Sequence, residues 1–212
     1  YFIIVKCRRE LEAQMLMETP GPLAEHPRTG LHKAATALEP NQIGLGGSLF
    51  LCRHAEVDNP QQVLYGRLPR FGLTEYGRQQ AIEMAGFLAE QDLAAIYVSP
   101  LLRARQTARA IQARFPHLKL QADRNLLEVD TSYDGRPLSE IGDFNFYEPL
   151  GHPDDETIEM VRDRVLKFVR RAMTRHKGEK IAAVSHGDVV VILHAFYFGF
   201  PMELASLRAP NF

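Results

Sequence analysis

The sequence has almost no excess of either charge: 25 Lys and Arg stand against 26 Asp and Glu, a formal net charge of −1. Proteins that grip a nucleic-acid backbone or an anionic membrane surface carry a basic excess, so neither is expected as a partner. Cysteine is equally scarce, with Cys7 and Cys52 as the 2 examples. Two distant thiols supply no disulfide framework, which fits a reducing, cytoplasmic setting. Long apolar runs are also missing. The longest, around Val189 to Phe200, is interrupted by His194 and Gly199 and falls short of the roughly 18 residues that a membrane span needs. Internal repeats and low-complexity segments are absent as well. What is present is 212 residues, 45% of them hydrophobic, enough for one sizeable core. The expected partner is a small diffusible molecule, and the oligomeric state is open.

Residues 1–48 contain Pro20, Pro22, Pro27 and Pro40 and mix acids and bases evenly, without sustained periodicity. They read as a poorly structured N-terminal leader with a short helix near Arg9 to Met17. The acids argue against an organelle transit peptide, and Tyr1 to Val5 is too short for a signal h-region. The lack of a Met before Tyr1 points to a processed or partial chain. Residues 49–212 read as the folded domain.

That domain is organised around Leu49-Phe50-Leu51-Cys52-Arg53-His54, an apolar run suited to a buried parallel strand that ends on an arginine and a histidine. Lys180 to Ser185 repeats the arrangement and ends on His186-Gly187. Between them, a loop over Val57 to Gly72 precedes a helix capped by Thr74 and running to about Glu90. A strand over Leu93 to Val98 and a helix from Leu101 to Arg114 follow, then a strand over His117 to Ala122. Residues 123–153 are mostly irregular, and loops of that length in compact domains are usually functional or mobile. Asp154-Asp155-Glu156 are expected to open a helix that ends near Gly178, and a last helix spans Asp188 to Phe198. Such alternation predicts an α/β fold, a three-layer α/β/α sandwich with a mostly parallel sheet. Ligand sites in these folds lie just past the carboxyl ends of the strands, where both histidines fall.

Arg53-His54, the segment Ser99 to Ala108 with Arg103 inside it, and Ser185-His186-Gly187 occur together with Gly66-Arg67 and with Gly72-Leu73-Thr74-Glu75-Tyr76-Gly77-Arg78-Gln79-Gln80-Ala81. In their order along the chain they resemble the blocks of the histidine phosphatase superfamily, which includes the cofactor-dependent phosphoglycerate mutases. The resemblance runs from about Leu49 to the C-terminus. It implies a phosphoglycerate mutase-like fold and a nucleophilic His54 that forms a phosphohistidine. Arg53, Arg103 and His186 complete the implied phosphate pocket, Glu128 is the implied acid for the leaving group, and Asp130 is its fallback. Arg67, Asn59 and Gly187 are expected to touch substrate. No metal and no other cofactor is implied. Ala55 and Val57 depart from the usual glycine and Ser or Thr, and Tyr133-Asp134-Gly135-Arg136 stands where the family carries W-x-G. The chain ends at Asn211-Phe212, where the family continues into another strand, so a truncated C-terminus is expected.

The residue types suit the chemistry. A neutral imidazole attacks without first losing a proton. A phosphomonoester dianion spreads charge over three oxygens in the transition state and must be surrounded by donors, for which the planar fork of arginine is better shaped than lysine. Competing readings are weaker. His54, Glu56, Asp58, His186 and Asp188 could hold a metal, but two arginines at the same place would repel a dication. A cysteine phosphatase loop from Cys52 needs an arginine where Asp58 stands, and Gly44 to Ser48 lacks the lysine of a P-loop. The expected activity is that of a phosphomonoesterase of the histidine acid phosphatase type, acting on a small phosphorylated metabolite. The alternatives are a cofactor-dependent phosphoglycerate mutase and a non-catalytic module that binds phospho-ligands. Hydrolysis is preferred because the interval from Glu128 to His186 lacks the long insertion with which mutases shield their intermediate from water.

Overall fold

The computed structural model describes residues 2–7, 47–141 and 152–201. Its strands are β1 (Phe2–Cys7), β2 (Gly47–Arg53), β3 (Leu93–Val98), β4 (Leu120–Ala122) and β5 (Lys180–Ser185). Its helices are α1 (Glu75–Ala89), α2 (Leu102–Gln112), the single turn α3 (Leu138–Ile141), α4 (Ile158–Arg175) and α5 (Gly187–Phe198). The sheet order is β1-β2-β5-β3-β4. β2, β5, β3 and β4 are mutually parallel, and β1 lies antiparallel along β2.

The apolar runs of β2 and β5 are continuous because both faces of these strands are covered. Leu49, Leu51, Ile181 and Ala183 point to one side, against Val161, Val165, Phe168 and Val169 of α4 and Ile192 and Leu193 of α5. Phe50, Cys52, Ala182 and Val184 point to the other, against Met84 and Leu88 of α1 and Ala104, Ala108 and Ile111 of α2. Each buried Leu, Ile or Phe contributes roughly 1.5–3 kcal/mol. The result is the expected three-layer sandwich, which fixes β2 beside β5 and brings their carboxyl ends into line.

Several local expectations need correction. Phe2–Cys7, read from sequence as part of a poorly structured leader, forms a strand paired from Phe2↔Cys52 to Cys7↔Gly47. Its β-branched and aromatic residues favour that pairing, and the prolines further along masked the signal. The helix expected near Arg9 to Met17 and the C-terminal end lie outside the described residues. The strand expected over His117 to Ala122 begins only at Leu120, because turns from Gln112 to Leu118 occupy its first residues. α4 does not open on Asp154-Asp155-Glu156. Thr157 caps it, its hydroxyl accepting from Met160 N at 3.3 Å, and Glu156 is spent on a different task.

Candidate active site

Three strand ends meet at the site. His54 N donates to Ser185 O and Ser99 N donates to Val184 O, each at 2.9 Å, so β2, β5 and β3 finish side by side. The His54 and His186 rings emerge with their centroids 5.2 Å apart. Arg103 arrives from the first turn of α2 and is fully buried.

Hydrogen bonds fix the state of His54. Its Nδ1 lies 2.8 Å from Ala55 O, and a carbonyl only accepts, so Nδ1 carries the proton. Nε2 then holds a lone pair, toward which Arg103 Nε donates at 3.1 Å. Burial, then the nearby Arg103 charge, pulls the His54 pKa down to about 3. The imidazole is therefore neutral and nucleophilic throughout the physiological range. Arg103 is itself held by Gly66 O at 2.6 Å and lies 4.7 Å over the Tyr65 ring.

His186 is held through Ser99, whose Oγ lies 2.6 Å from His186 Nε2. Leu101 N donates to that same Oγ at 3.5 Å, so the hydroxyl proton can go to Nε2 and leave Nδ1 protonated. Nδ1 is buried and finds no hydrogen-bond partner among the described residues. Burial and Arg103 keep His186 well below its ordinary pKa. As a neutral ring it still offers one N–H, so donation to a phosphate oxygen needs no added charge. Arg53 is exposed at the end of β2, and Gly187 leaves room for it: a Cβ there would lie 3.3 Å from Arg53 Nε.

Glu128 sits beside this pocket, with Oε1 accepting from Val129 N at 3.1 Å. Burial, reinforced by the negative charge of Asp188, raises its pKa to about 8 against the opposing pull of Arg103 and Arg53. It is protonated at neutral pH, as a proton donor must be. Asp130, the fallback acid, is instead ion-paired with Arg67 at 2.6 Å.

Two residues expected to touch substrate are committed elsewhere. Arg67 donates through Nε to Glu128 O at 2.8 Å, to Asp130 at 2.6 Å and to Glu156 at 2.7 Å. Asn59 closes on its own loop, donating to Val63 O at 2.9 Å and accepting from Val63 N at 3.2 Å. The structure thus brings together His54, Arg53, Arg103, His186, Gly187 and Glu128, and gives Arg67 and Asn59 hydrogen-bond partners of their own.

The long block around Thr74 has a structural explanation. Thr74 caps α1 and donates to Glu56 Oε1 at 2.8 Å, while Gln80 Oε1 accepts from Glu56 N at 2.9 Å. A Cβ on Gly77 would lie 2.1 Å from Glu56 O, so only glycine lets α1 approach the loop that follows the nucleophile. Leu73 and Ala81 pack on Ala55. Thr107, which sequence reasoning missed, accepts from Ala55 N at 3.1 Å and donates to Arg103 O at 2.9 Å, tying the His54 loop to the helix of Arg103. Ser185 was missed too: its Oγ donates to Leu126 O at 2.8 Å, fixing the segment that leads to Glu128. Among the described residues no three His, Cys, Asp or Glu side chains are grouped as metal ligands, and no helix is long and apolar enough to cross a membrane.

The chain belongs to the histidine phosphatase superfamily (branch 1), whose family model matches residues 49–211. It is 35% identical over 160 residues to the uncharacterized protein Rv0525 of Mycobacterium tuberculosis, covering 71% of this chain and 78% of that one. To the uncharacterized phosphatase PhoE of Bacillus subtilis it is 30% identical over 166 residues, covering 77% and 84%. Among solved structures, Bacillus stearothermophilus YhfR superposes with a TM-score of 0.70 at 29% identity, covering 79% of this chain and 86% of that one.

Proposed function

We propose that the protein hydrolyses phosphomonoesters of small metabolites through a phosphohistidine on Nε2 of His54, without a metal ion. The observation that carries this reading is the orientation of His54: Nδ1–H is held by Ala55 O at 2.8 Å, and the Nε2 lone pair faces Arg103 Nε at 3.1 Å. In the first step Nε2 bonds to phosphorus and the ester P–O bond breaks. Glu128 gives its proton to the departing oxygen. In the second step water attacks the phosphohistidine, the carboxylate of Glu128 takes a proton from it, and the P–N electrons return to His54. Arg103, Arg53 and the Nδ1–H of His186 stabilise the three equatorial oxygens, and each preorganised donor of this kind is worth about 3 kcal/mol in other enzymes. The superfamily and the B. subtilis relative's description as a phosphatase support the reaction class. Release to water rather than return to substrate is supported by the interval between Glu128 and His186, which holds one long helix, α4, among the described residues.

The test is a panel of phosphorylated metabolites and an aryl phosphate, run with the parental protein and with His54→Ala. Phosphate release that disappears in the variant is the expected result. Isomerisation of phosphoglycerate in large excess over phosphate release would assign a mutase instead. Tight phosphate binding with no turnover of any substrate would leave only a binding module.

A further inference from the structure

We propose that Glu156, acting through Arg67 and Arg164, is the positioning residue of the proton donor, so that it governs protonation of the leaving group and not formation of the phosphate pocket. This inference rests on the phosphatase reading above. One carboxylate organises the whole of the segment that carries Glu128. Glu156 Oε2 accepts from Arg67 at 2.7 Å, from Arg164 Nη2 at 2.9 Å and from Asp130 N at 3.0 Å, while Oε1 accepts from Arg164 Nε at 2.7 Å. The two guanidiniums then converge on the backbone of the acid itself: Arg67 Nε lies 2.8 Å and Arg164 Nη2 3.1 Å from Glu128 O. Arg164 also donates to Asn125 O at 2.8 Å, and Glu156 N donates to Asp130 O at 2.9 Å. The segment from Asn125 to Asp130 is therefore pinned at both ends and at its middle by a single ionic cluster.

The cluster is well shielded, with Glu156 and Arg164 side chains 13% and 14% exposed, so its hydrogen bonds are not surface pairs of negligible worth. Without the Glu156 carboxylate the two half-buried guanidiniums would lean on the acceptors they already share with it, Arg67 on Asp130 and Glu128 O and Arg164 on Asn125 O and Glu128 O, and so would pull on the segment that carries the acid. None of these three residues hydrogen-bonds to His54, Arg53, Arg103 or His186, which are set by the strand ends and by α2. Loosening the cluster therefore moves the acid and spares the nucleophile.

That separation has a kinetic signature. An alkyl phosphate expels a strongly basic alkoxide and depends on the proton from Glu128, whereas 2,4-dinitrophenyl phosphate expels a weakly basic phenolate and does not. Glu156→Gln is expected to lower kcat/KM for an alkyl phosphate about tenfold or more and to leave 2,4-dinitrophenyl phosphate nearly unchanged. Equal loss on both substrates, or loss on neither, would overturn the proposal. Glu128→Gln is the reference: if it fails to discriminate between the substrates, the assignment of the acid is wrong, and if it discriminates while Glu156→Gln does not, only the positioning role is wrong. Should Glu156→Gln not fold, Arg164→Lys keeps the charge and loses the fork, with the same selective loss expected and an equal loss on both substrates again overturning the proposal.

Discussion

Replacing Asp188 by Asn tests whether the fold keeps a proton on Glu128. The raised pKa of about 8 comes first from burial and second from the Asp188 charge. At pH 7 a carboxyl with that pKa is roughly nine-tenths protonated, whereas one at the ordinary value of 4.5 is only about 0.3% protonated. The environment thus makes roughly 300-fold more of the acid available at pH 7. Asp188→Asn removes one cause and leaves burial in place, so the pKa falls toward the ordinary range without reaching it. The assay is kcat/KM from pH 4 to 9.5 for an alkyl phosphate and for 2,4-dinitrophenyl phosphate. With each rate constant referred to the dianionic form of its substrate, their ratio follows the protonated fraction of Glu128. In the parental protein the ratio is expected to be flat up to about pH 8 and to fall tenfold per unit beyond it. In Asp188→Asn the break moves to lower pH. A break at the same pH in both proteins, or one near 4.5 in the parent, would refute the reasoning.

The other expectations concern stability. Gly77→Ala puts a Cβ 2.1 Å from Glu56 O and should cost about 1–3 kcal/mol, seen as a Tm lowered by roughly 3–10 °C. Gly86→Ala in the same helix meets nothing within 4 Å and should raise stability by about 0.5–1 kcal/mol. A pair of melts giving the opposite signs would contradict the packing described for α1. On acidification, His54 resists protonation in the fold, its pKa being lowered from 6.5 to about 3. The unfolded chain takes up that proton first, so stability is lost as pH falls below 6.5, at up to about 1.4 kcal/mol per unit. Glu128 works in the opposite sense between pH 8 and 4.5, gaining stability as pH falls. Urea unfolding at pH 7 and 4.5 should therefore give a His54→Gln variant an advantage over the parent of about 2–3 kcal/mol at the lower pH relative to the higher. No difference between the two pH values would mean that His54 is not held neutral.

The strands and helices that build the site were legible because each carries a local signal. Both faces of β2 and β5 are buried, which writes a continuous apolar run into the sequence, and Thr74 marks the start of α1. His54 and His186 could be picked out because they follow those strands, and Arg103 because its block resembles one of the family's. The hydrogen-bond partners of Arg67 and Asn59 were not legible. A loop arginine does not announce its partner, and Glu156, to which Arg67 donates, lies 89 residues away in sequence. The start of α4 was misplaced for the same reason: Asp154-Asp155-Glu156 looks like an acidic first turn until Glu156 is seen facing two arginines. Thr107 and Ser185 were invisible because their work is done by hydroxyls on distant backbone, which no spacing within the sequence announces. Phe2–Cys7 carried a strand signal in its β-branched residues, and the proline-rich residues after it obscured that signal.

The proposed reaction stands or falls on where the phosphoryl group goes. Rapid quenching with labelled substrate, followed by peptide mapping under alkaline conditions that preserve phosphohistidine, is expected to find the label on the peptide that contains His54, stable to alkali and lost in acid. Turnover with no label on the protein, or label on any residue other than His54, would contradict it.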